Sequence, residues 1–125
     1  VDNGPGWLAL LLKNRKDVLA LEPDFVTLTG LRVGVVAPWD ASEDGGDADF
    51  EVRAFTAAGF EDPVTGSLNA GIAQWLIGSN IARSTYIASQ GTVLGRAGRI
   101  YVRQESNSIW IGGNVVTCIR GSVNL

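Results

Sequence analysis

The sequence predicts a single α+β domain over residues 1–125, in which a central apolar helix is wrapped by a curved, mainly antiparallel sheet. The first observation behind this prediction is a segment, residues 67–77, that is apolar around almost its whole circumference. The second is a series of short segments rich in Ile, Val, Tyr and Thr, which are typical of strands. Glycines between these segments indicate the turns or bulges of a curved sheet.

The predicted helix carries strongly polar side chains only at Asn69 and Gln74. A helix that is apolar on nearly every side has to be buried on most of them. The strands are therefore expected to surround this helix, and Gly78 is expected to end it. Its apolar residues are Leu68, Ala70, Ile72, Ala73, Trp75, Leu76 and Ile77.

The sequence offers six strand candidates, at residues 7–12, 31–37, 50–56, 84–89, 98–104 and 108–119. Polar and apolar residues alternate over residues 50–56, which predicts a half-exposed strand with Arg53 on its exposed face. Cys118, in the last candidate, is expected to be a small buried residue.

Two further segments lie between the predicted strands. Residues 18–29 suit one or two helical turns that Asn14 or Asp17 caps and Pro23 interrupts. Six acidic residues between Asp40 and Glu51 surround a Gly-Gly pair, which predicts a solvated loop.

Composition excludes several classes of function. The net charge of -3 and the scattered basic residues argue against nucleic-acid binding. No apolar run reaches the roughly 18 residues of a membrane span and no signal peptide is apparent, so a cytoplasmic protein is expected. Without histidine, and with Cys118 alone, histidine-dependent catalysis, a thiolate metal site and an internal disulfide are excluded. Neither a metal nor a cofactor is expected, and the lack of methionine predicts a processed chain or a piece of a longer one.

The most informative motif directly precedes the apolar helix, at residues 61–67. It places the Asp62 carboxylate and the Ser67 hydroxyl beside the free N–H groups of a helix N-terminus, where an anion can bind. Gly66 leaves the backbone open to a ligand, and a positioned carboxyl can move a proton. The alternative is plain helix capping, with Asp62 as N-cap before a proline, or with Thr65 or Ser67 satisfying the free amides.

The same motif resembles the signature of the PhzF family, the phenazine-biosynthesis-like proteins related to diaminopimelate epimerase. The resemblance spans the whole chain. Its segments are Glu61-Asp62-Pro63-Val64-Thr65-Gly66-Ser67-Leu68-Asn69-Ala70-Gly71, the strand Val52-Arg53-Ala54-Phe55, Gln90-Gly91 with Gly95-Arg96-Ala97-Gly98, Ile111-Gly112-Gly113-Asn114-Val115-Val116 with Arg120-Gly121-Ser122-Val123, and Val1-Asp2-Asn3-Gly4-Pro5-Gly6-Trp7-Leu8.

The resemblance implies a diaminopimelate epimerase-like fold of two similar halves, with the active site between them, of which this chain is the C-terminal half. It implies that Asp62 and Ser67 are catalytic-site residues. It also implies that a small carboxylate-bearing substrate contacts Glu61, Thr65, Gly66, Ser67, Gln90 and Gly91.

The family's principal acid/base glutamate and its accompanying histidine belong to the N-terminal half, which this chain lacks. The expected function is therefore one half of a cofactor-independent isomerase, inactive alone, which needs the missing half or a second copy of itself. The alternatives are a non-catalytic binder of small anions and a self-assembling module, such as a homodimer of half-domains.

Overall fold

A computed structural model describes residues 3–124 as one mixed sheet that curls into a half-barrel, with two helices. In chain order the elements are β1 (Leu8–Leu11), α1 (Arg15–Leu19), β2 (Val33–Pro38), β3 (Phe50–Phe55), β4 (Glu61–Asp62), α2 (Gly66–Gly78), β5 (Thr85–Gln90), β6 (Gly98–Glu105) and β7 (Ser108–Gly112). A 3₁₀ turn at Thr92–Leu94 joins β5 to β6. None of the helices in residues 3–124 is long and apolar enough to cross a membrane.

The strands lie in the order β1-β2-β3-β5-β6-β7, and β4 pairs with β3 beside that path. The pairs β1–β2 and β3–β5 are parallel, whereas β2–β3, β3–β4, β5–β6 and β6–β7 are antiparallel. The prediction of a mainly antiparallel sheet therefore agrees with the pairing in the described part of the chain.

Helix α2 packs on the concave side of this sheet. Its buried residues Leu68, Ile72, Ala73 and Leu76 form one cluster with side chains from every strand of the main path. Gln74, on its other side, is exposed. The helix is therefore buried mainly on the side that faces the sheet. The apolar run predicts a helix that is enclosed on most sides.

The opposite face of β2 and β3 is covered by α1 and the turns that follow it, through a second cluster that contains Val18, Val35 and Phe55. Because both faces are covered, all six residues of β3 are buried. The prediction of a half-exposed strand there is wrong. Of the two caps predicted for residues 18–29, Asn14 caps α1, which begins earlier than predicted, at Arg15: its side chain accepts a hydrogen bond from the Asp17 amide.

The last predicted strand is much shorter than expected. It ends at Gly112, and residues 113–124 have no regular secondary structure and are exposed. Cys118 lies in this exposed segment, so the prediction that it is buried is wrong. The large apolar side chains of the segment, Val115, Val116, Ile119 and Val123, are between 77% and 92% exposed.

Candidate functional site

The candidate site forms where two strands share one edge of β3. The first part of that edge pairs with the end of β5, where Val52 lies opposite Gln90. The next part pairs with β4, where Ala54 lies opposite Asp62. The end of β5 is thereby placed against β4 and against the loop that leads from β4 into α2. Residues about 25 positions apart in the sequence meet at this junction.

Gln90 is the centre of the junction and is fully buried. Its Oε1 accepts hydrogen bonds from the Thr65 amide at 3.1 Å and from Asn69 Nδ2 at 2.9 Å. Its Nε2 donates to the Asp62 carbonyl at 2.9 Å and to Thr65 Oγ1 at 3.0 Å. One carboxamide therefore ties the strand before α2 to the first turn of that helix.

Thr65 occupies the N-cap position of α2 but makes no side-chain capping hydrogen bond. Its hydroxyl instead donates to Asp62 Oδ2 at 2.7 Å. Since the helix begins at Gly66 and Asp62 lies in β4, the capping alternative is wrong for Asp62 and for the Thr65 side chain. The N–H groups of Gly66 and Ser67 have no backbone acceptor among residues 3–124.

Ser67 lies in the first turn of α2 and is half-buried. Its Oγ accepts a hydrogen bond from the indole nitrogen of Trp7 at 3.1 Å, and its carbonyl accepts one from Asn3 at 2.9 Å. An indole N–H can only donate, so the Ser67 hydroxyl keeps its own proton for another acceptor. Gly66 beside it is exposed, and no heavy atom lies within 4 Å of where a Cβ would stand.

Gly91 shapes the floor of the junction. Its φ of +90° is a left-handed conformation that favours glycine, and an added Cβ would lie 2.8 Å from the Pro63 carbonyl oxygen. It is buried. Glycine is needed here because the end of β5 packs closely against the loop before α2. This packing explains the glycine without any contact to a ligand.

Glu61 is the predicted site residue that the structure does not bring to the junction. Both of its carboxylate oxygens accept hydrogen bonds from Arg53, at 3.0 and 2.8 Å. Arg53 is itself buried and also donates to the carbonyls of Val18 and Leu21, on the α1 side of the sheet. The prediction of an exposed Arg53 is therefore wrong. Successive residues of a strand point to opposite faces, which separates the Glu61 carboxylate from that of Asp62.

Sequence reasoning missed Asn69 as part of this junction. The side chain is fully buried, donates to the Thr65 carbonyl and to Gln90, and has an Oδ1 without a partner in residues 3–124. Its signal was present, because it is one of two strongly polar residues in an otherwise apolar helix. A buried polar group in such a run needs hydrogen-bond partners.

A second polar cluster, also missed, lies beside the junction around the fully buried Glu51. Its carboxylate accepts hydrogen bonds from Arg15 at 3.0 Å, from the Trp39 indole at 3.1 Å and from Thr92 at 2.5 Å. Burial lowers the pKa of Arg15, but the hydrogen bonds and charges of Glu51 and Asp44 outweigh it and raise the pKa overall. All these groups have partners, so the cluster ties α1, the acidic loop and the 3₁₀ turn together.

No group of three or more His, Cys, Asp or Glu side chains suited to a metal ion occurs within residues 3–124. The polar groups that face outward at the junction are the first-turn amides, the Ser67 hydroxyl and the Asp62 carboxylate. Asp62 Oδ1 has no hydrogen-bond partner in the described part of the chain. This set can bind an anion and can hold or move a proton beside it.

The fold and the junction define a half-barrel domain in which the first amides of α2 have no backbone acceptor among residues 3–124 and lie next to a carboxylate that Thr65 holds. The family model of the phenazine biosynthesis-like proteins, PhzC-PhzF, matches residues 1–121. The chain belongs to this family.

Known proteins similar to the chain are about twice its length. A curated relative, Antisense-enhancing sequence 1 of Schizosaccharomyces pombe (strain 972), is 35% identical over 136 residues, which cover 97% of this chain and 44% of the relative. The crystal structure of a PhzC/PhzF phenazine biosynthesis protein from Clostridium difficile (strain 630) is similar with a TM-score of 0.70 and 25% identity, over 95% of this chain and 45% of that one.

A PhzF-family phenazine biosynthesis protein from Bacillus anthracis shares the fold, with a TM-score of 0.60 and 18% identity over 82% of this chain and 40% of that one. The PhzF resemblance in the sequence is confirmed by these matches. The chain spans less than half the length of each of these three proteins.

Proposed function

We propose that this chain is the C-terminal domain of a PhzF-like, cofactor-independent isomerase and supplies the half of the active site that holds the substrate carboxylate. The main support for this proposal is that the Thr65 hydroxyl donates to Asp62 and does not cap the helix, which we call its diversion. That diversion leaves the first-turn amides of α2 open beside a carboxylate whose direction is fixed.

The chemistry follows from the groups at the helix start. The amides of Gly66 and Ser67, at the positive end of the helix dipole, bind the carboxylate of the ligand. The Ser67 hydroxyl donates a further hydrogen bond to it. Asp62 Oδ1 then faces a bound ligand as a proton acceptor or an orienting group. In this reaction class a proton leaves a carbon next to the carboxylate and returns elsewhere, which requires a second acid/base group on the opposite side of the substrate.

In this proposal a partner domain supplies that second group. We propose that an N-terminal half, or a second copy of this domain, closes over the junction and over the exposed side of α2. Closing this side would complete the enclosure that the apolar run of the helix predicts. It would also exclude water from the ligand, which strengthens the hydrogen bonds that hold it.

An NMR titration with sorbate, a small conjugated carboxylate, tests the binding half of this proposal. We expect saturable shifts of the Gly66 and Ser67 amides in the wild-type chain, and a loss of affinity of about tenfold in Ser67→Ala, the size of one charge-assisted hydrogen bond. Ser42→Ala, in the exposed acidic loop, is the matched control and should bind as the wild type does. Shifts spread over the molecule, or absent from the first turn of α2, would contradict the proposal.

The catalytic half is tested by Asp62→Asn in a protein that carries both halves. The amide keeps the oxygen that accepts from Thr65 but cannot take up a proton as a carboxylate does. We expect solvent deuterium to enter the carbon to which the proton returns in the unmodified protein, and turnover to be lost in the variant while the fold persists. Unchanged turnover in Asp62→Asn would exclude an acid/base role for this residue.

The exposed apolar segment at residues 113–124 favours a second candidate function, a self-assembling module. Four large side chains on that segment are nearly fully exposed, whereas isolated exposed apolar residues are the norm on monomeric proteins. A homodimer could cover these side chains and bring two Asp62-bearing helix ends into one assembly. The non-catalytic alternative, a small-anion binder, uses the same first-turn amides and requires no second half.

A further inference from the structure

We propose that Gln90 is a positioning residue for the ligand site, which acts through Thr65 on Asp62 and does not itself contact ligand. This inference rests on the proposed function for its purpose, but its geometric content can be tested without any ligand. The family resemblance assigns Thr65 and Gln90 to substrate binding. In this inference both residues instead orient the Asp62 carboxylate.

Gln90 and its two side-chain partners are buried. Gln90 is 0% exposed, Thr65 is 7% exposed and Asn69 is 0% exposed. Both polar atoms of the Gln90 carboxamide are occupied by two protein partners each. A side chain that is completely buried and fully hydrogen-bonded has no group left to offer to a ligand.

The direction of the carboxamide is fixed by its four partners. If the oxygen and nitrogen of Gln90 changed places, the nitrogen would face two donors, the Thr65 amide and Asn69 Nδ2. The oxygen would at the same time face the Asp62 carbonyl, which is an acceptor. Only the orientation in the structure satisfies all four contacts.

The fixed carboxamide in turn directs the Thr65 hydroxyl. Because Gln90 Nε2 can only donate, Thr65 Oγ1 has to accept from it. The single hydroxyl proton is then left to donate to Asp62 Oδ2, at 2.7 Å. Gln90 therefore selects the direction of that proton, which holds one oxygen of the Asp62 carboxylate and leaves Oδ1 as the oxygen for the ligand.

The same contacts decide which amides a ligand can use. The Thr65 amide is occupied by Gln90 Oε1, so the anion-binding donors begin one residue later, at Gly66. The binding position is thereby shifted into the first turn of α2, where the exposed Gly66 and the Ser67 hydroxyl lie. Gln90 thus sets both the position of the anion and the direction of the carboxylate beside it.

Three-bond Hα–Hβ couplings of Asp62 in the 125-residue chain test this inference directly. We expect the wild-type couplings to match a single side-chain rotamer. Gln90→Met keeps the length of the side chain but removes every hydrogen bond, and should give the averaged couplings of a rotating carboxylate. Gln90→Glu keeps an acceptor for Thr65 and Asn69 but loses both donated bonds. Gln90→Glu should also give averaged couplings. This variant replaces Gln90→Met in the test if the methionine variant does not fold.

Matched controls are Gln104→Met and Gln104→Glu, because Gln104 lies on β6 and its side chain donates to the nearby Ser106 carbonyl, away from the junction. These variants should leave the Asp62 couplings unchanged. Unchanged couplings in a folded Gln90→Met or Gln90→Glu would overturn the positioning role.

A double-mutant comparison separates positioning from general stabilisation. If Gln90 acts through the Thr65 hydroxyl, the single variant Thr65→Val should already give averaged Asp62 couplings. Adding Gln90→Met to it should change these couplings no further. Additional averaging in the double variant would overturn the route through Thr65.

Sorbate titrations of the same variants connect the geometry to binding. We expect about a tenfold loss of affinity in Gln90→Met and in Gln90→Glu, and none in the Gln104 variants. If the wild-type chain itself does not bind sorbate, the proposed function fails, while the couplings still decide whether Gln90 positions Asp62. If the wild type binds and the Gln90 variants bind equally well, the positioning role is overturned and the proposed function stands.

Discussion

Arg53 is among the largest side chains that the protein buries, and each of its three side-chain nitrogens donates at least one hydrogen bond. It forms a bidentate ion pair with Glu61, donates to two carbonyls that follow or lie within α1, and lies 5.0 Å from the centre of the Phe55 ring. It therefore joins β3, β4 and α1 at one point. Glu61 contributes to the site indirectly, by anchoring the two-residue strand that also carries Asp62.

We predict that Arg53→Met lowers the free energy of unfolding by about 3–5 kcal/mol, because it leaves the buried Glu61 carboxylate without its partner. Urea denaturation measures this loss. The matched control is Arg83→Met, which removes an ion pair to Asp49 in which the arginine side chain is 82% exposed. The control should cost less than about 1 kcal/mol. An Arg53→Met variant as stable as the control would contradict the buried ion pair.

The sequence did not reveal this role, and the reason is physical. Alternating polarity over residues 50–56 predicts one buried and one solvated face. In the structure both faces are covered, and the polar residues Glu51 and Arg53 are buried because each has charged or hydrogen-bonding partners. Those partners come from segments 8 to 41 positions away. Strand periodicity alone cannot identify them.

At the scale of elements, the contact between β2 and α2 depends on the absence of one side chain. Gly34 faces Leu68 in the first turn of α2, and a Cβ at Gly34 would overlap the Leu68 Cδ1 atom. Both residues are buried, and Leu68 is 0% exposed. The close approach of strand and helix holds the beginning of α2, and with it the candidate site, against the sheet.

We predict that Gly34→Ala destabilises the fold by about 1–3 kcal/mol through this overlap, as other overpacked cores do. The loss should shrink in the Leu68→Ala background, where the overlapping atoms are gone, so the two substitutions should be non-additive in urea denaturation. Gly46→Ala is the control, since no heavy atom lies within 4 Å of its added Cβ. A Gly34→Ala cost that persists in full in the Leu68→Ala background would refute the steric explanation.

Helix α2 was predictable from its sequence almost to the residue. The apolar run and Gly78 predict residues 67–77, and the helix spans Gly66–Gly78. The acidic loop was predicted less well, because three of its carboxylates are tied by arginines: Asp44 to Arg15, Asp47 to Arg99 and Asp49 to Arg83. The hydrogen bond from Arg99 lowers the pKa of Asp47 below its ordinary value of 3.8. Composition identifies such a loop as charged, but only the fold supplies its distant partners.

At the scale of the whole molecule, the sequence predicted where the candidate site lies better than it predicted the site's internal roles. Asp62, Gly66 and Ser67 do meet at one helix N-terminus, as the motif indicates. Thr65 and Gln90 also belong to this junction, but their side chains bond to each other, to Asp62 and to Asn69. The proposed positioning role of Gln90 rests on hydrogen-bond directions, which the motif does not contain.

Residues 113–124, the apolar segment after β7, expose four large aliphatic side chains. Burying a Val or Ile side chain contributes about 1.5–3 kcal/mol, so covering Val116 and Ile119 gives self-association a substantial driving force. In sedimentation velocity we expect the wild-type chain to form dimers or larger species as protein concentration rises, and Val116→Ser/Ile119→Ser to remain monomeric. Val26→Ser, which removes a valine that is 85% exposed outside this segment, should associate as the wild type does. A wild-type chain that stays monomeric at high protein concentration would rule out the self-assembling module and leave a separate N-terminal half as the partner of this domain.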